Sequence, residues 1–267
     1  MNKLFTVFLV AGFLSLGSSH LMARMPVSET ANPKENAVKT IPIQKGETKK
    51  YSNNLTTCMF IAKKGNDNKL VIEYPVSGDP KLVNAIRKNI KEILDPDFKG
   101  SLKSPESLMR SVLKDKRDMK FGEEGESLNE EIKVIYSSPS VITFSNEGYS
   151  YMGGAHGMNW CAATTFLISD GTMFDISMLP PFSQMRPFIF KGLAEYFDTK
   201  VEDLKDYLFD PDDVGYPKSV AITDKGLTFY YQPYEIAAYA YGSPDAVVPI
   251  TPQIIKMLTP AGRQFFK

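Results

Sequence analysis

Short turn signals separate most of the β-rich runs in this chain, and they restrict how its strands can pair. Residues 63–68 join two β-rich runs over 55–62 and 70–74, and Asp170-Gly171 is a strong two-residue hairpin signal. Strands joined by turns this short pair antiparallel, because a parallel pair needs a crossover of about a dozen residues or more. We therefore predict sheets built mainly from hairpins.

Helix-forming segments stand in separate blocks beside these hairpins. Asp79-Pro80 has the cap and proline of a helix start, and apolar residues then recur at helical spacing as far as Leu94. Ser104-Pro105 repeats that start, a third helix is predicted over 186–197, and Thr251-Pro252 opens a fourth. Helices that do not alternate with single strands are typical of the α+β class. We predict an α+β fold in two parts, with antiparallel hairpin-rich sheets and helices packed on one face.

The middle of the chain is predicted to add further hairpins. Asn146-Glu147-Gly148 is interpreted as a tight turn between strands over 140–144 and 149–152. Residues 172–176 are predicted to return as a strand from the turn at Asp170-Gly171.

The first 23 residues have the pattern of a secretory signal peptide. Lys3 supplies a positive charge, an apolar run follows from Leu4 to Gly17, and small residues come next. This run is shorter than the ~20 apolar residues that a membrane span needs, which favours a cleaved signal peptide. The alternative is that the segment is not cleaved and remains as an N-terminal anchor. Residues 24–46 contain few apolar side chains and are interpreted as a linker. We expect a periplasmic or secreted mature chain without a membrane span.

Composition and charge exclude some classes of partner. The chain is 43% hydrophobic, which is ordinary for a globular protein, and its length suits one large domain or two small ones. Lysine plus arginine and aspartate plus glutamate balance at 31 each. No net charge therefore attracts nucleic acid or an anionic membrane, and we expect neither as a partner.

Cys58 and Cys161 are the two cysteines of the chain. In the oxidising compartment that a signal peptide implies, a disulfide between them is one expectation. It would close a loop of roughly 100 residues and contribute about 4–5 kcal/mol in the chain-entropy model. The alternative is two thiols on strands that never meet, because spacing in sequence does not determine geometry.

The segment from Tyr149 to Gly157 contains the only histidine after residue 20. His156 follows Gly153 and Gly154, and glycine allows backbone angles and close approaches that other residues do not. One interpretation is a bend between two strands, with His156 fixed by a backbone hydrogen bond. The other is a pocket in which a ligand approaches the backbone beside His156.

A second distinctive segment contains five tyrosines within residues 230–241. Tyrosine combines an apolar ring with a polar tip and is favoured at binding interfaces. The alternatives are rings packed across a sheet and rings exposed for binding. The binding residues that we predict from the two segments together are Tyr151, Gly153, Gly154, His156, Tyr231, Tyr234, Tyr239 and Tyr241.

Catalytic and metal-binding patterns are weak in this sequence. It contains no serine-hydrolase elbow, phosphate loop or helical zinc-protease motif. We expect no metal and no cofactor, because neither cysteine lies in a metal-binding doublet and His156 has no partner histidine nearby in sequence. The enzymatic alternative is a hydrolase of envelope glycans or peptides, with His156 as general base oriented by Asp175.

Several segments, taken in order, resemble a known family. They are residues 151–157, 174–179 and 227–237, followed by Gly242 and Val248-Pro249-Ile250. Together they resemble the extracytoplasmic domains of RsiV-type anti-sigma factors and the non-catalytic part of PdaC-type peptidoglycan deacetylases. The resemblance implies a PdaC-type α+β domain over 47–157, an RsiV-type α+β domain over 158–258 and a tail over 259–267.

The resemblance also implies a function. In RsiV-type proteins this unit binds lysozyme as a signal, and in the deacetylases it accompanies a separate catalytic domain. No sigma-binding segment and no deacetylase domain is recognisable in this sequence. We therefore expect an exported recognition module without catalysis of its own, whose partner is a lysozyme-like protein or a peptidoglycan-type glycan of the cell envelope. Its binding groove is predicted where the two parts meet.

Overall fold

The computed structural model describes residues 41–115 and 126–267. The predicted signal peptide and most of the predicted linker lie outside the described residues. The last residues of that linker, 43–46, are not a linker in the structure, because the first strand begins at Ile43.

A six-stranded sheet, ordered β1 to β6, forms the N-terminal part of the molecule. Its strands are β1 (Ile43–Lys50), β2 (Thr56–Lys64), β3 (Asn68–Ser77), β4 (Ser127–Ser137), β5 (Val141–Tyr151) and β6 (Met158–Leu167). Neighbouring strands are antiparallel except β3 and β4, which pair in parallel from Asn68↔Leu128 to Ile72↔Ile132. The crossover between these two strands contains α1 (Pro80–Leu94) and α2 (Glu106–Asp115).

The predicted turn at residues 146–148 is wrong, because β5 runs straight through it. Asn146 pairs with Ile132 on one side and with Ala162 on the other. Gly148 instead makes room for its neighbour on β6, since a Cβ at this position would lie 2.1 Å from the side chain of Trp160. The glycine that suggested a turn is therefore a packing residue inside a strand.

The predicted strand over 172–176 is also wrong. Only a single bridge joins Met173 to Phe166, and a short 3₁₀ helix then begins at Ile176. Asp175 caps that helix, because its carboxylate accepts a hydrogen bond from the Ser177 backbone N–H at 2.7 Å. The side-chain hydrogen bond of this cap favours a helical turn over strand pairing at these residues.

The C-terminal part contains a second, three-stranded antiparallel sheet in the order β7-β8-β9. Its elements are α3 (Phe182–Tyr196), β7 (Ser219–Ile222), β8 (Leu227–Tyr230), β9 (Asp245–Val248) and α4 (Pro252–Met257). Helix α3 lies directly on β9, where a Cβ at Gly192 would come within 2.8 Å of the Val247 backbone nitrogen. The predicted α+β class and two-part arrangement are confirmed.

Each part has its own hydrophobic core. Helices α1 and α2 cover one face of the six-stranded sheet, with Leu82, Ile86 and Leu108 packed in the same core as Ile142 and Phe166. The second core lies between α3 and the three-stranded sheet, and it contains residues such as Leu193, Phe229 and Val248. The predicted apolar stripe of α1 accounts for its part of the first core.

The two sheets meet through hydroxyl groups rather than through paired strands. The Thr143 hydroxyl donates to the Ile222 carbonyl at 2.6 Å, and the Thr165 hydroxyl accepts from the Ile222 N–H at 2.8 Å. The Ser219 hydroxyl accepts from the Ala163 N–H at 3.0 Å and donates to the Ala163 carbonyl at 3.1 Å. We call Thr143, Thr165 and Ser219 the hydroxyl seam, since they satisfy backbone groups at the edges of β6 and β7.

The expected disulfide is not formed, and both cysteines are free thiols. Cys58 lies on β2 and Cys161 on β6, which are four strand spacings apart, or about 19 Å of sheet. The Cα atoms of a disulfide are usually within about 7 Å of each other. Cys58 also belongs to the core on the helix-covered face.

We expect Thr143→Val to destabilise the protein by about 1–3 kcal/mol, because it leaves the buried Ile222 carbonyl without a donor while keeping the side-chain shape. Urea unfolding measures this loss. The matched control is Thr48→Val at an exposed position on β1, which is expected to change stability by less than about 0.5 kcal/mol. Equal effects of the two substitutions would contradict a structural role for the seam.

Candidate functional site

The loop between β8 and β9, residues 231–244, is attached to the edge of β6. The side-chain amide of Gln232 donates to the Cys161 carbonyl at 2.7 Å, and its oxygen accepts from the Cys161 N–H at 3.4 Å. Glu235 in turn accepts from the Gln232 backbone N–H at 2.8 Å. Partial burial raises the pKa of the Glu235 carboxyl above its ordinary value. The tyrosine-rich loop is thereby held against the segment that contains His156.

Three rings come together at this junction, and we call His156, Tyr234 and Tyr239 the aromatic cluster. The ring centroids of His156 and Tyr239 are 4.3 Å apart with planes inclined by 23°. The rings of Tyr239 and Tyr234 are 5.5 Å apart and inclined by 25°. The cluster therefore consists of stacked, nearly parallel rings from two distant segments of the chain.

One backbone carbonyl organises the cluster. The Gly157 carbonyl accepts from the Tyr239 hydroxyl at 2.7 Å and lies 2.8 Å from His156 Nδ1. Because a carbonyl only accepts, Nδ1 carries the hydrogen, and a neutral ring leaves Nε2 as an acceptor for the Tyr234 hydroxyl at 3.3 Å. The backbone hydrogen bond of the first interpretation is present and His156 is exposed, while ligand binding beside it stays a prediction.

The glycines of this segment have different roles. Gly153 and Gly154 have φ angles of +86° and +96°, and a Cβ at either position would meet no atom within 4 Å. They shape the turn, whose carbonyl at Gly154 accepts from the Tyr151 hydroxyl at 2.8 Å. Gly157 is the close-packed glycine, since a Cβ there would lie 2.3 Å from the Tyr149 ring.

Tyr234 has an unusual backbone. Its φ angle is +65°, in the left-handed region that bulky L-residues rarely adopt, although its side chain is 50% exposed. Such a conformation costs roughly 1–3 kcal/mol and persists only where the surrounding structure enforces it. Here the Gln232 contacts on one side and the bridge between Leu208 and Ala237 on the other fix the loop.

Two of the four binding tyrosines predicted from the second segment lie outside the aromatic cluster. Tyr231 is 1% exposed and its hydroxyl donates to the Gly215 carbonyl at 2.9 Å, so it is a core residue. Tyr241 packs against Phe197 and Tyr207, with ring centroids 5.4 and 5.7 Å away. The four predicted binding tyrosines of the segment are therefore divided between the core, the cluster and a separate aromatic surface.

The proposed pairing of His156 with Asp175 is not formed. His156 precedes the first residue of β6, whereas Asp175 follows the last one. A strand of 10 residues is about 33 Å long, so the two side chains lie near opposite ends of β6. Asp175 is also engaged as the helix cap described above.

A groove of about 440 Å³ lies beside the aromatic cluster, with strands β3 to β6 as its floor. We call it the sheet groove; the side chains on its floor and wall include Asn129, Glu131, Glu147, Tyr149, Asn159 and Ser243. None of these residues is among the predicted binding residues, and the predicted turn at 146–148 interrupted the strand that carries Glu147 and Tyr149. The alternation of side chains along a continuous β5 would have found Glu147 and Tyr149 on one face.

Cys161 also lies in this groove, but its chemistry is not that of a nucleophile. Burial, followed by the nearby carboxylates of Glu147 and Asp245, raises the pKa of the Cys161 thiol to about 12. The thiol is therefore protonated near neutral pH, and it is the thiolate that reacts. Among the residues that the structure describes, no three histidine, cysteine, aspartate or glutamate side chains form a group suited to a metal ion.

Comparison with known families confirms the suspected resemblance. Residues 61–159 match the family described as "Deacetylase PdaC", and residues 178–251 match "Protein of unknown function (DUF3298)". A search of curated proteins finds no match.

Solved structures share the same fold. A member of the DUF3298 family from Bacteroides fragilis superposes with a TM-score of 0.60 at 16% identity, covering 84% of this chain and 97% of the other. A DUF3298 family protein from Pseudomonas aeruginosa gives a TM-score of 0.52 at 19% identity, covering 82% and 95%. At such low identity these similarities establish the fold alone.

We expect Tyr234→Gly to be more stable than Tyr234→Ala by about 1 kcal/mol, because both remove the ring but only glycine accepts the positive φ without strain. Urea unfolding of the two variants measures the difference. At the exposed Ala240, which has no positive φ, the substitution Ala240→Gly is expected to be destabilising. Equal stability of the two Tyr234 variants would contradict the predicted backbone strain, because it would show that the loop adopts another conformation at this position.

We also expect the wild type to lose more stability than Cys161→Ala when the pH is raised from about 7.5 to about 9.5. The unfolded thiol loses its proton near pH 8.5, whereas the folded thiol keeps it until about pH 12. Above about pH 8.5 the unfolded state binds fewer protons, so stability falls as pH rises. Urea midpoints under reducing conditions measure both losses, and identical losses would contradict the raised pKa.

Proposed function

We propose that this protein is a recognition module of the cell envelope, which binds a peptidoglycan-type glycan through the aromatic cluster and has no catalysis of its own. The observation that carries this proposal is the stack of rings at His156, Tyr239 and Tyr234, with the outer ring half exposed. The apolar C–H face of a sugar packs on such rings, while the tyrosine hydroxyl oxygens, which donate within the cluster, can still accept hydrogen bonds from a ligand.

The strained backbone at Tyr234 supports a binding role. A bulky residue with φ of +65° lowers stability, and the side chain that it presents is half exposed, so its burial offsets only part of that cost. Strain of this kind concentrates at functional sites, where a side chain must be held ready for a ligand. A rigid ring also loses little conformational entropy when a ligand binds.

The arrangement of polar groups favours binding over hydrolysis. The two nitrogens of His156 contact the Gly157 carbonyl and the Tyr234 hydroxyl, while Asp175 lies near the other end of β6. The nearby Cys161 thiol is protonated near neutral pH. None of these groups forms the hydrogen-bonded nucleophile and base that covalent hydrolysis requires.

The choice of a peptidoglycan-type glycan draws on the family resemblance. The N-terminal half matches a family whose name describes a deacetylase, and the sequence resembles the part of peptidoglycan deacetylases that accompanies their catalytic domain. We propose that the module acts outside the cytoplasmic membrane, after removal of a signal peptide. Among the helices that the structure describes, none has the length and apolar character needed to span a membrane.

A lysozyme-like protein is the second candidate partner, and one observation favours it. Phe209 is 62% exposed and lies next to the tyrosine-rich loop, since its backbone N–H donates to the Ile236 carbonyl at 2.9 Å. A large exposed apolar side chain beside a rigid loop is typical of a protein interface.

Calorimetric titration of the purified protein with soluble peptidoglycan fragments and, in parallel, with lysozyme tests both candidates. We expect saturable binding of the fragments, reduced about tenfold or more by Tyr239→Ala or Tyr234→Ala, because each removes one ring of the stack. Phe209→Ala is the matched control, since it removes an exposed ring outside the cluster.

The outcomes separate the candidates. Glycan binding that survives both tyrosine substitutions would contradict the proposed site. Lysozyme binding that is lost with Phe209→Ala, in the absence of glycan binding, would establish the protein partner instead.

A further inference from the structure

We infer that the ligand is a linear glycan chain rather than a single sugar, and that it continues from the aromatic cluster into the sheet groove. This inference rests on the proposed function and specifies its substrate class. The geometry points to it because Tyr149, which lines the groove, packs against Gly157, whose carbonyl holds the cluster.

Tyr149 connects the two regions. Its side chain lines the sheet groove, and it lies so close to Gly157 that a Cβ there would be 2.3 Å from the ring. Gly157 is also the residue whose carbonyl holds His156 and Tyr239 in the cluster. Tyr149 and Gly157 therefore place the groove next to the cluster, within reach of one extended ligand.

The floor of the groove is a row of side chains on adjacent strands. Asn129 on β4 pairs with Tyr149 on β5, which pairs with Asn159 on β6, so all three project from the same face of the sheet. From β3 to β6 the groove crosses three strand spacings, or about 14 Å. That length exceeds a single six-membered sugar ring and suits several linked units.

The chemistry of this row matches hydroxyl groups. Asn129, Asn159 and Glu147 are exposed, and together they offer amide donors, amide acceptors and carboxylate oxygens. Planar amide and carboxylate groups of this kind bind neighbouring hydroxyls of a sugar, and the Tyr149 ring adds an apolar surface.

The charges in the groove disfavour an acidic polymer. Glu131 is paired with Lys133 at 2.5 Å, and Lys69 lies at the β3 side of the groove. Glu147 faces Glu131 across the β4–β5 pair. Glu130 also lines the groove, so three carboxylates stand against the one ammonium group of Lys69, and this disfavours an acidic chain as the occupant.

The test compares chain lengths. Chitin-type oligosaccharides from the single sugar through the trimer to the hexamer are titrated into the full protein, with ligand-observed NMR for the weakest binders. We expect affinity to rise at least about tenfold from single sugar to hexamer, as further units make hydrogen bonds in the groove. We expect Asn129→Ala to lower hexamer affinity about three- to tenfold and to leave single-sugar binding unchanged.

Asn66→Ala, in the exposed turn between β2 and β3, is the matched control and should affect neither ligand. Equal affinity for the single sugar and the hexamer would overturn this inference while leaving the proposed function intact. Absence of binding to any saccharide would overturn the proposed function itself. Equal affinity of peptidoglycan fragments and their free peptides would overturn the inference in favour of a peptide in the groove.

Discussion

The free edge of β6 is the constraint on which the arrangement of the whole molecule depends. An unpaired strand edge is prone to pair with other chains, so it must be covered or blocked. Here Ser219 and Gln232 satisfy the outward N–H and carbonyl groups of Ala163 and Cys161 with their side chains. The Thr165 carbonyl accepts from the Phe174 N–H at 2.9 Å. The C-terminal part is thus attached to the N-terminal sheet by the hydrogen bonds that this edge requires.

This attachment also positions the candidate site. Gln232 opens the tyrosine-rich loop, so fixing it on Cys161 brings the loop to the start of β6, where His156 lies. The positive φ of Tyr234 is then enforced by a loop held at both ends, and its ring is presented in one orientation. A site organised in this way before binding loses less entropy when it takes up a ligand. The hydroxyl seam and the aromatic cluster therefore both form where the C-terminal part covers the edge of β6.

Local signals in the sequence predicted the parts of the fold that depend on local interactions. The Asp79 cap and the apolar stripe gave helix α1 its observed bounds, and short turns gave most of the hairpins. The role of Gly148 could not be predicted from its neighbours in sequence, because a glycine is equally suited to a tight turn and to a close contact such as that with Trp160. Tyr231 is buried in the core and Tyr234 is exposed, and this difference depends on contacts with residues far away in the sequence. The residue type alone does not reveal it. The parallel pairing of β3 and β4 required knowing that α1 and α2 form a crossover.

A backbone atom fixes the position of His156. The Gly157 carbonyl accepts from Tyr239 and holds the imidazole, so the ring is fixed as the base of a stack. The same residue lacks a side chain because Tyr149 occupies that space, and Tyr149 is where the sheet groove begins. A histidine fixed in this way presents its ring as a surface, and the adjoining groove extends that surface along the sheet. Its position in a glycine-rich segment is therefore explained by packing, since Gly157 both holds the imidazole through its carbonyl and leaves room for Tyr149.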